Sequence, residues 1–297
     1  MLGRVSLTLA VIVAGASFNH QQREARMAAS LRAARLSLGS IGTGKTAVVT
    51  GATSGIGRAC AKLLAESGFS VIAIGRSASR GAEVLNEMTA ASDGQRKHEF
   101  ISCDAFSLRE ISKAAASIRS AHPVIDVLVL SQGMATIQGF TPTAEGNDEK
   151  LTLHYWGRMA FISELLPSLR VAPMPRVVSV LSGGMHSAYL SYEVDPELKE
   201  TYSIKNAADA AGFYNDLGLD ALAIQQGNEN IVFVHAAPGF VKTSWGTEMP
   251  WFLRGPIRAL QVWGMRTQSD DLFPLHYAST SIMLVVVACS DASSTRE

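Results

Sequence analysis

The chain has 297 residues, of which 47% are hydrophobic and 18% are charged. Its 26 basic side chains equal its 26 acidic ones in number, so it lacks the excess of cations on which nucleic-acid binding depends. Three widely spaced cysteines form neither a disulfide framework nor a Cys-x-x-Cys metal site. Length and composition therefore predict a globular chain with a sizeable core.

Residues 1–43 are predicted to be an N-terminal extension or targeting segment. A short apolar run at 5–16 has the outline of a secretory signal peptide, whereas 22–40 carries four arginines and one acid and is more typical of an organelle transit peptide. We therefore expect a cytoplasmic or organellar protein rather than a secreted one. A start at Met27 is the alternative. None of the apolar runs is long enough to span a bilayer.

Strand and helix patterns alternate after this segment. Buried strands are predicted at 46–50, 70–75, 99–103, 124–130, 176–181 and 231–236. Helices are predicted at 58–66, 80–91, 108–121, 146–169 and 204–225. The alternation predicts a single α/β domain over 44–297, with a Rossmann-type doubly wound parallel sheet and helices on both faces. Ligands of such a sheet bind at the carboxyl ends of its strands.

The glycine-rich segment at 39–46 matches a nucleotide-binding motif in sequence, but the elements predicted around it do not fit such a site. Residues 39–46 match the phosphate-binding loop of nucleoside triphosphatases. Such a loop follows a strand and opens a helix, whereas this one precedes the strand at 46–50. We therefore do not predict an ATP or GTP site here.

A second glycine cluster follows that strand and leads into a helix. It reads Thr50-Gly51-Ala52-Thr53-Ser54-Gly55-Ile56-Gly57. In a dinucleotide-binding loop the first glycine permits the tight turn, the second lets the main chain approach a pyrophosphate, and the third lets helix and strand pack closely. The predicted cofactor contacts are Gly51, Thr53, Ser54, Gly55, Ile56 and Gly57.

The end of the second predicted strand favours NADP over NAD. Folds that prefer NAD place an acidic residue there, whereas this chain has Gly75-Arg76-Ser77. Arg76, helped by Arg58, can form a charge-assisted pair with a 2′-phosphate. The alternative is that Arg76 is only a solvated loop charge.

With Thr-Gly-x-x-x-Gly-Ile-Gly in place, residues from about 45 to 243 resemble the short-chain dehydrogenase/reductase family. The resemblance implies that Asp104 contacts the adenine and that Gly133 belongs to the family's Asn-Asn-Ala-Gly segment, of which only this glycine is kept. It also implies that the Pro-Gly segment, with Pro238, Gly239 and Thr243, lies at the nicotinamide.

In this family a serine holds the substrate carbonyl, a tyrosine passes the proton, and a lysine four residues later lowers the pKa of the tyrosine. An asparagine on the preceding helix completes the relay. The resemblance places Ser182 at the serine position and His154 where the asparagine would stand. The sequence contains no Tyr-x-x-x-Lys.

Tyr202 and Lys205 come nearest to the tyrosine–lysine pair, with the lysine one place early. One residue is 100° around a helix, so Lys205 does not simply replace a residue four after Tyr202. A second register, counted from the helix end, places Ile204 and Ala208 at the two catalytic positions, where neither transfers a proton. The predicted catalytic residues are Ser182, Tyr202, His154 and Lys205.

These features predict an NADP-dependent oxidoreductase that transfers hydride between a nicotinamide cofactor and a carbonyl or alcohol. The alternative is an NADP-binding sensor or scaffold without appreciable turnover. Residues 244–273 are rich in Trp and Met and are predicted to form a lid over an apolar or lipid-like small-molecule substrate, or else a subunit contact. A homo-oligomer is expected from the family resemblance.

Overall fold

The computed structural model of the protein describes residues 41–92, 94 and 96–238. Its strands are β1 Thr46–Thr50, β2 Ser70–Gly75, β3 Glu99–Ser102, β4 Val127–Leu130, β5 Arg176–Val180 and β6 Val232–Ala236. All of them pair in parallel, in the order β3-β2-β1-β4-β5-β6. This is the strand order of a doubly wound dinucleotide-binding sheet, and it confirms the predicted Rossmann-type fold.

The helices connect these strands in the predicted places. They are α1 Gly55–Glu66, α2 Ala78–Ala91, α3 Leu108–Ala121, α4 Glu149–Leu151, a π-helical segment Thr152–Trp156, α5 Gly157–Leu169 and α6 Ile204–Ala223. The serine before α2, α3 and α6 accepts a hydrogen bond from a backbone N–H of the first turn. These N-caps explain why the helices begin at these residues.

Each strand buries one set of side chains on each face of the sheet, because successive side chains point to opposite sides. Ala47 and Val49 of β1 pack in the cluster that contains Leu64 of α1. Val48 packs in the other cluster, with Phe161 of α5. Both faces are therefore covered, and loops that carry polar side chains gather at the carboxyl ends of the strands.

The triphosphatase-like segment lies at the opposite edge of the sheet from the glycine loop. Residues 41–44 form a turn in which Lys45 N–H donates to the carbonyl of Gly42, at 2.9 Å, immediately before β1. The strand β1, and not a helix, follows this turn, unlike the helix that a phosphate-binding loop opens.

Among the described residues, no helix is long and apolar enough to cross a membrane. The predicted lid at 244–273 and residues 1–40 of the predicted N-terminal segment lie outside the described part of the chain.

Candidate active site

The glycine loop after β1 packs closely against the end of β4. Gly51 and Gly55 have φ of +67° and +55°, in the left-handed region that favours glycine. A Cβ on Gly51 would lie 2.7 Å from the backbone nitrogen of Gln132. One on Gly57 would lie 2.3 Å from Oγ of Ser131. Positions 51 and 57 therefore have no room for a side chain, and the positive φ at position 55 favours glycine there.

The first turn of α1 is open to an anion. It follows Ser54, whose side chain makes no capping hydrogen bond, and it contains no acidic residue. Of the residues predicted to contact the cofactor, Thr53 and Ser54 directly precede this turn and Ile56 lies in it. Beside it, Nε2 of Gln132 is buried without a hydrogen-bond partner in the described chain. Free amides at a positive helix end suit a phosphate, so the loop fits a dinucleotide pyrophosphate.

The two arginines expected at a 2′-phosphate have different surroundings. Arg76 follows β2, is exposed, and holds its guanidinium carbon 5.1 Å from the ring centre of Phe106. Arg58 instead forms ion pairs with Glu87 and Glu83 of α2, at 2.8 and 3.3 Å. Arg76 is thus an exposed cation at this edge, whereas the guanidinium of Arg58 already pairs with two carboxylates.

The other predicted cofactor residues lie where strands end. Asp104 follows β3 and accepts a hydrogen bond from the N–H of Phe106, at 3.2 Å. Gly133 follows β4, and Pro238 follows β6. Gly239 and Thr243 lie outside the described residues. The described members of the predicted cofactor set therefore share one edge of the sheet.

Ser182 follows β5 at the same edge. Its N–H donates to Nε2 of His235 on β6, at 3.2 Å, and its carbonyl accepts from the N–H of Met185, at 2.8 Å. Its Oγ lies 3.5 Å from Nδ1 of His186. A Cβ on Gly212 of α6 would lie 2.6 Å from this Oγ, so the glycine makes room for the serine.

A carboxylate joins two histidines beside Ser182. Asp216 of α6 contacts Nε2 of His186 with one oxygen, at 3.0 Å, and Nδ1 of His235 with the other. The histidine side chains are 8% and 6% exposed, whereas Asp216 is 45% exposed. In the described part of the chain, no three His, Cys, Asp or Glu side chains are arranged to hold a metal ion. The cluster is therefore a His–Asp–His group, in which Asp216 is hydrogen-bonded to His235 and lies within ion-pair distance of His186.

His154 is unsuited to the proton transfer predicted for it. Desolvation, together with the charges of Arg158 and Lys150, lowers its pKa to about 3. Its Nε2 accepts a hydrogen bond from the N–H of Met134, at 3.1 Å, so this nitrogen carries no proton to give. His154 instead holds the loop after β4 in place.

Tyr202 and Lys205, which come nearest in sequence to the tyrosine–lysine pair, have different partners. Lys205 is largely exposed and forms an ion pair with Asp209 one turn along α6. The Tyr202 hydroxyl instead lies 2.9 Å from Nζ of Lys150, and it donates to the carbonyl of Gln138 at 3.3 Å. Burial raises the pKa of Tyr202 to about 12 and lowers that of Lys150. Tyr202 is therefore protonated at neutral pH.

The buried guanidinium of Arg158 hydrogen-bonds to residues at the carboxyl ends of β4 and β5. Arg158 donates to the carbonyls of Gln132 and Val180, at 2.6 and 3.0 Å, and to Oγ of Ser179 at 2.7 Å. Ser179 donates in turn to Asn215 of α6, at 2.8 Å. Burial lowers the pKa of Arg158 to about 9, so the group stays charged at neutral pH. This network fixes the end of β5 relative to β4 and α6.

Comparison with known proteins places this geometry in a family. The family model of the short chain dehydrogenases matches residues 45–192. The chain is 31% identical over 217 residues to the NmrA-like family domain-containing oxidoreductase notO of an Aspergillus species, which covers 72% of this chain and 65% of that protein. It is 34% identical over 202 residues to oxidoreductase andH of Emericella variicolor, covering 66% and 58%.

A solved structure is also similar. The putative NAD(P) dependent gluconate 5-dehydrogenase of Beutenbergia cavernae, solved with bound NADP at low occupancy, has 25% identity and a TM-score of 0.61. The match covers 82% of this chain and 90% of that one. The chain belongs to the short-chain dehydrogenase/reductase family. It spans about three fifths of the length of the two fungal relatives named above.

Sequence reasoning did not identify Lys150 or the His–Asp–His group. Lys150 lies one helical turn before His154, and that spacing is its only local signal. His186 follows Ser182 by four residues in a glycine-rich turn. Its contact with Asp216 depends on how α6 crosses the sheet, and a linear pattern does not contain that information.

Proposed function

We propose that this protein is an NADP-dependent oxidoreductase that transfers hydride between a nicotinamide cofactor and a carbonyl or alcohol substrate. The observation that carries the proposal is the position of Ser182, which follows β5 at the same sheet edge as the open first turn of α1. A bound nicotinamide cofactor supplies or accepts the hydride. Membership of the short-chain dehydrogenase/reductase family supports the same chemistry.

Each part of the chain at this edge has a proposed task. Amides after Ser54 hold the pyrophosphate, and Asp104 meets the adenine. Ser182 orients the substrate carbonyl by donating its hydroxyl proton in a hydrogen bond. Of the predicted proton donors, His154 and Lys205 are not supported by their contacts, and Tyr202 stays a candidate.

A preference for NADP is proposed from the charge at the end of β2. A 2′-phosphate adds about two negative charges and several acceptor oxygens, which the exposed Arg76 can meet with a forked pair of N–H donors. No carboxylate occupies residues 75–79, where an NAD-preferring fold would place one. The NADP-bound state of the Beutenbergia relative is consistent with this preference.

The substrate is proposed to be an apolar carbonyl compound. The loop between β5 and α6 exposes Met185, Leu190 and Val194, which are 72%, 87% and 82% exposed. Met185 is hydrogen-bonded through its backbone to Ser182. Apolar side chains beside the carbonyl-orienting group suit an aliphatic or aromatic substrate. The predicted lid at 244–273 and the predicted homo-oligomer stay predictions.

The test is titration of the full chain with NADPH and NADH by fluorescence, with NADPH oxidation followed against decanal, benzaldehyde and cyclohexanone. The proposal expects tighter binding of NADPH and oxidation with at least one carbonyl. NADPH binding without oxidation favours the sensor or scaffold, while absence of binding contradicts both functions.

A further inference from the structure

We propose that the proton of the reaction passes through Ser182 from His186, which Asp216 orients, in place of the tyrosine–lysine pair that this chain lacks. The inference rests on the proposed oxidoreductase function and assigns the part of the chemistry that the family pattern leaves open here. His186 would act as a relay and positioning residue, because the group that meets the substrate is Ser182.

His186 lies between Ser182 and a carboxylate. Nδ1 lies 3.0 Å from the carbonyl oxygen of Ser182, and Nε2 lies 3.0 Å from a carboxylate oxygen of Asp216. Both of these oxygens accept hydrogen bonds and have no proton to donate. A proton on Nδ1 therefore faces Ser182, with the Asp216 carboxylate on the other side of the ring.

His235 contacts the same carboxylate, but one of its ring nitrogens accepts a hydrogen bond. Its Nε2 accepts from the N–H of Ser182, at 3.2 Å, and its Nδ1 therefore carries the proton that it donates to Asp216. This is the neutral ring. Desolvation, with Arg158 and His186 acting in the same direction, lowers the pKa of His235 despite the contact with Asp216. The two histidines thus have different positions: His235 donates to the carboxylate, and His186 is the ring whose Nδ1 faces Oγ of Ser182.

A second carboxylate, that of Asp209, also lies near His186. Asp209 of α6 accepts from the N–H of Ser187, at 3.1 Å, and interacts electrostatically with His186. Lys205 partly neutralises Asp209. The 45% exposure of Asp216 gives the buried ring a polar connection to water, through which the proton is replaced between turnovers.

Gly212 shows that this arrangement depends on the crossing of α6. A Cβ there would lie 2.4 Å from Cγ and Nδ1 of His186 and 2.6 Å from Oγ of Ser182. Glycine in the interior of a helix is less favourable than alanine. Glycine is nevertheless present at position 212, where a methyl group would displace both Ser182 and His186.

The proton balance is simple. In the direction of reduction, the carbonyl carbon of the substrate gains the hydride. The electron pair of the C=O π bond moves to the oxygen, which forms an O–H bond with the proton from Oγ of Ser182. Ser182 takes the Nδ1 proton of His186, which leaves a neutral imidazole and an alcohol product. Oxidation reverses each transfer. The 3.5 Å between Oγ and Nδ1 has to shorten when substrate binds, as catalytic hydrogen bonds commonly do.

The experiment compares His186→Gln, Asp216→Asn and Tyr202→Phe with the unchanged full chain. NADPH affinity is measured by fluorescence, and NADPH oxidation is followed with decanal, benzaldehyde and cyclohexanone. His122→Gln is the matched control, because His122 also pairs with a carboxylate, that of Glu99, at 3.3 Å, but precedes β4 at the opposite edge of the sheet. General acid catalysis contributes about 10²- to 10⁴-fold, so His186→Gln should lose turnover in that range.

The proposal expects Asp216→Asn to lose turnover as well, and NADPH affinity to change by less than about tenfold in both variants. Added imidazole should partly restore turnover to His186→Gly, which a merely structural role would not produce. The imidazole ¹⁵N chemical shift of His186 Nε2 should change in Asp216→Asn, because the carboxylate oxygen lies 3.0 Å from that nitrogen.

Three results would overturn the proposal, and they separate it from the proposed function. Full turnover in His186→Gln removes the relay while the oxidoreductase stands. Loss of turnover in Tyr202→Phe alone assigns the proton to Tyr202. An unchanged ¹⁵N chemical shift of His186 Nε2 in Asp216→Asn removes the orienting role of that carboxylate. If the unchanged chain binds NADPH and oxidises it with none of the carbonyls, the proposed function fails, and the relay fails with it.

Discussion

The hydroxyl oxygen of Tyr202 lies 2.9 Å from Nζ of Lys150, although 52 positions separate the two residues in the chain. Lys150 also donates to the carbonyl of Gln138, which accepts from Tyr202 too. Tyr202 precedes α6, and Lys150 lies in α4, so this contact ties the loop after β4 to the start of α6. An amine–phenol pair is thus present in the chain, but its members come from different elements than in the family pattern.

The ionisation of Tyr202 should make the fold sensitive to alkali. Burial raises its pKa to about 12, above the value of about 10 for an exposed tyrosine. Between those values the unfolded chain loses the proton and the folded chain keeps it, so the free energy of unfolding falls as pH rises from 10 to 12. Urea unfolding should show a smaller fall for Tyr202→Phe. Equal slopes for the two proteins would contradict the burial of this phenol.

Arg76→Ala should weaken NADPH binding far more than NADH binding. Charge-assisted hydrogen bonds contribute about 1.5–3 kcal/mol, which corresponds to roughly 10- to 150-fold in the dissociation constant. Fluorescence titration of both cofactors measures the ratio. Lys97→Ala is the control, because it removes the same charge from a side chain that is 87% exposed and precedes β3, at the opposite sheet edge. Equal losses for NADPH and NADH would assign Arg76 another role.

Gly212→Ala and Gly218→Ala form a matched pair on α6. The Gly212 methyl would meet His186 and Ser182 at 2.4–2.6 Å, whereas the nearest atom to a Gly218 methyl is the flexible sulfur of Met159, at 3.0 Å. Overpacking costs about 1–3 kcal/mol, so we expect Gly212→Ala to lose stability and most turnover. Gly218→Ala should keep turnover and gain helix stability of up to about 1 kcal/mol. Thermal unfolding and NADPH oxidation measure both, and similar behaviour of the pair would argue against close packing at Ser182.

Arg158→Met should lower the free energy of unfolding by about 3 kcal/mol or more. The change leaves the carbonyls of Gln132 and Val180 and the hydroxyl of Ser179 without their donor in the core. Arg170→Met, which removes a part-buried hydrogen bond to Asn228 and a longer, exposed one to the carbonyl of Gln226, should cost about 1–2 kcal/mol. Urea unfolding distinguishes them. Comparable losses would mean that the Arg158 network adds little to the fold.

The sheet was predictable because its signal is local. The predicted strands at 46–50 and 70–75 match β1 and β2 residue for residue, since runs of β-branched and small apolar residues end at Gly or Thr. The helix predicted at 146–169 is different. It begins at Glu149 and contains a π-helical turn, in which the carbonyl of His154 accepts from Asn215 of α6, at 2.8 Å. That partner lies 61 positions away, beyond the reach of helical periodicity.

The close packing of the glycine loop was predictable for the same reason, because Gly51 to Gly57 form one contiguous segment. The contacts of the predicted catalytic residues were not. The sequence alone suggests the ordinary pKa of a histidine for His154, whereas burial and two nearby cations lower that pKa to about 3. Ser182 and His186 are close in sequence, yet Asp216 and His235 reach them only through tertiary contacts.

Transfer of deuterium from 4-deuterated NADPH is the most direct test of the central claim, that the protein moves hydride between a nicotinamide cofactor and a carbonyl. The full chain is incubated with the labelled cofactor and decanal, benzaldehyde or cyclohexanone, and the alcohol is analysed by mass spectrometry. The account predicts one deuterium on the carbinol carbon of at least one product. Tight NADPH binding with no labelled alcohol from any of the three would contradict it and favour a cofactor-binding sensor or scaffold.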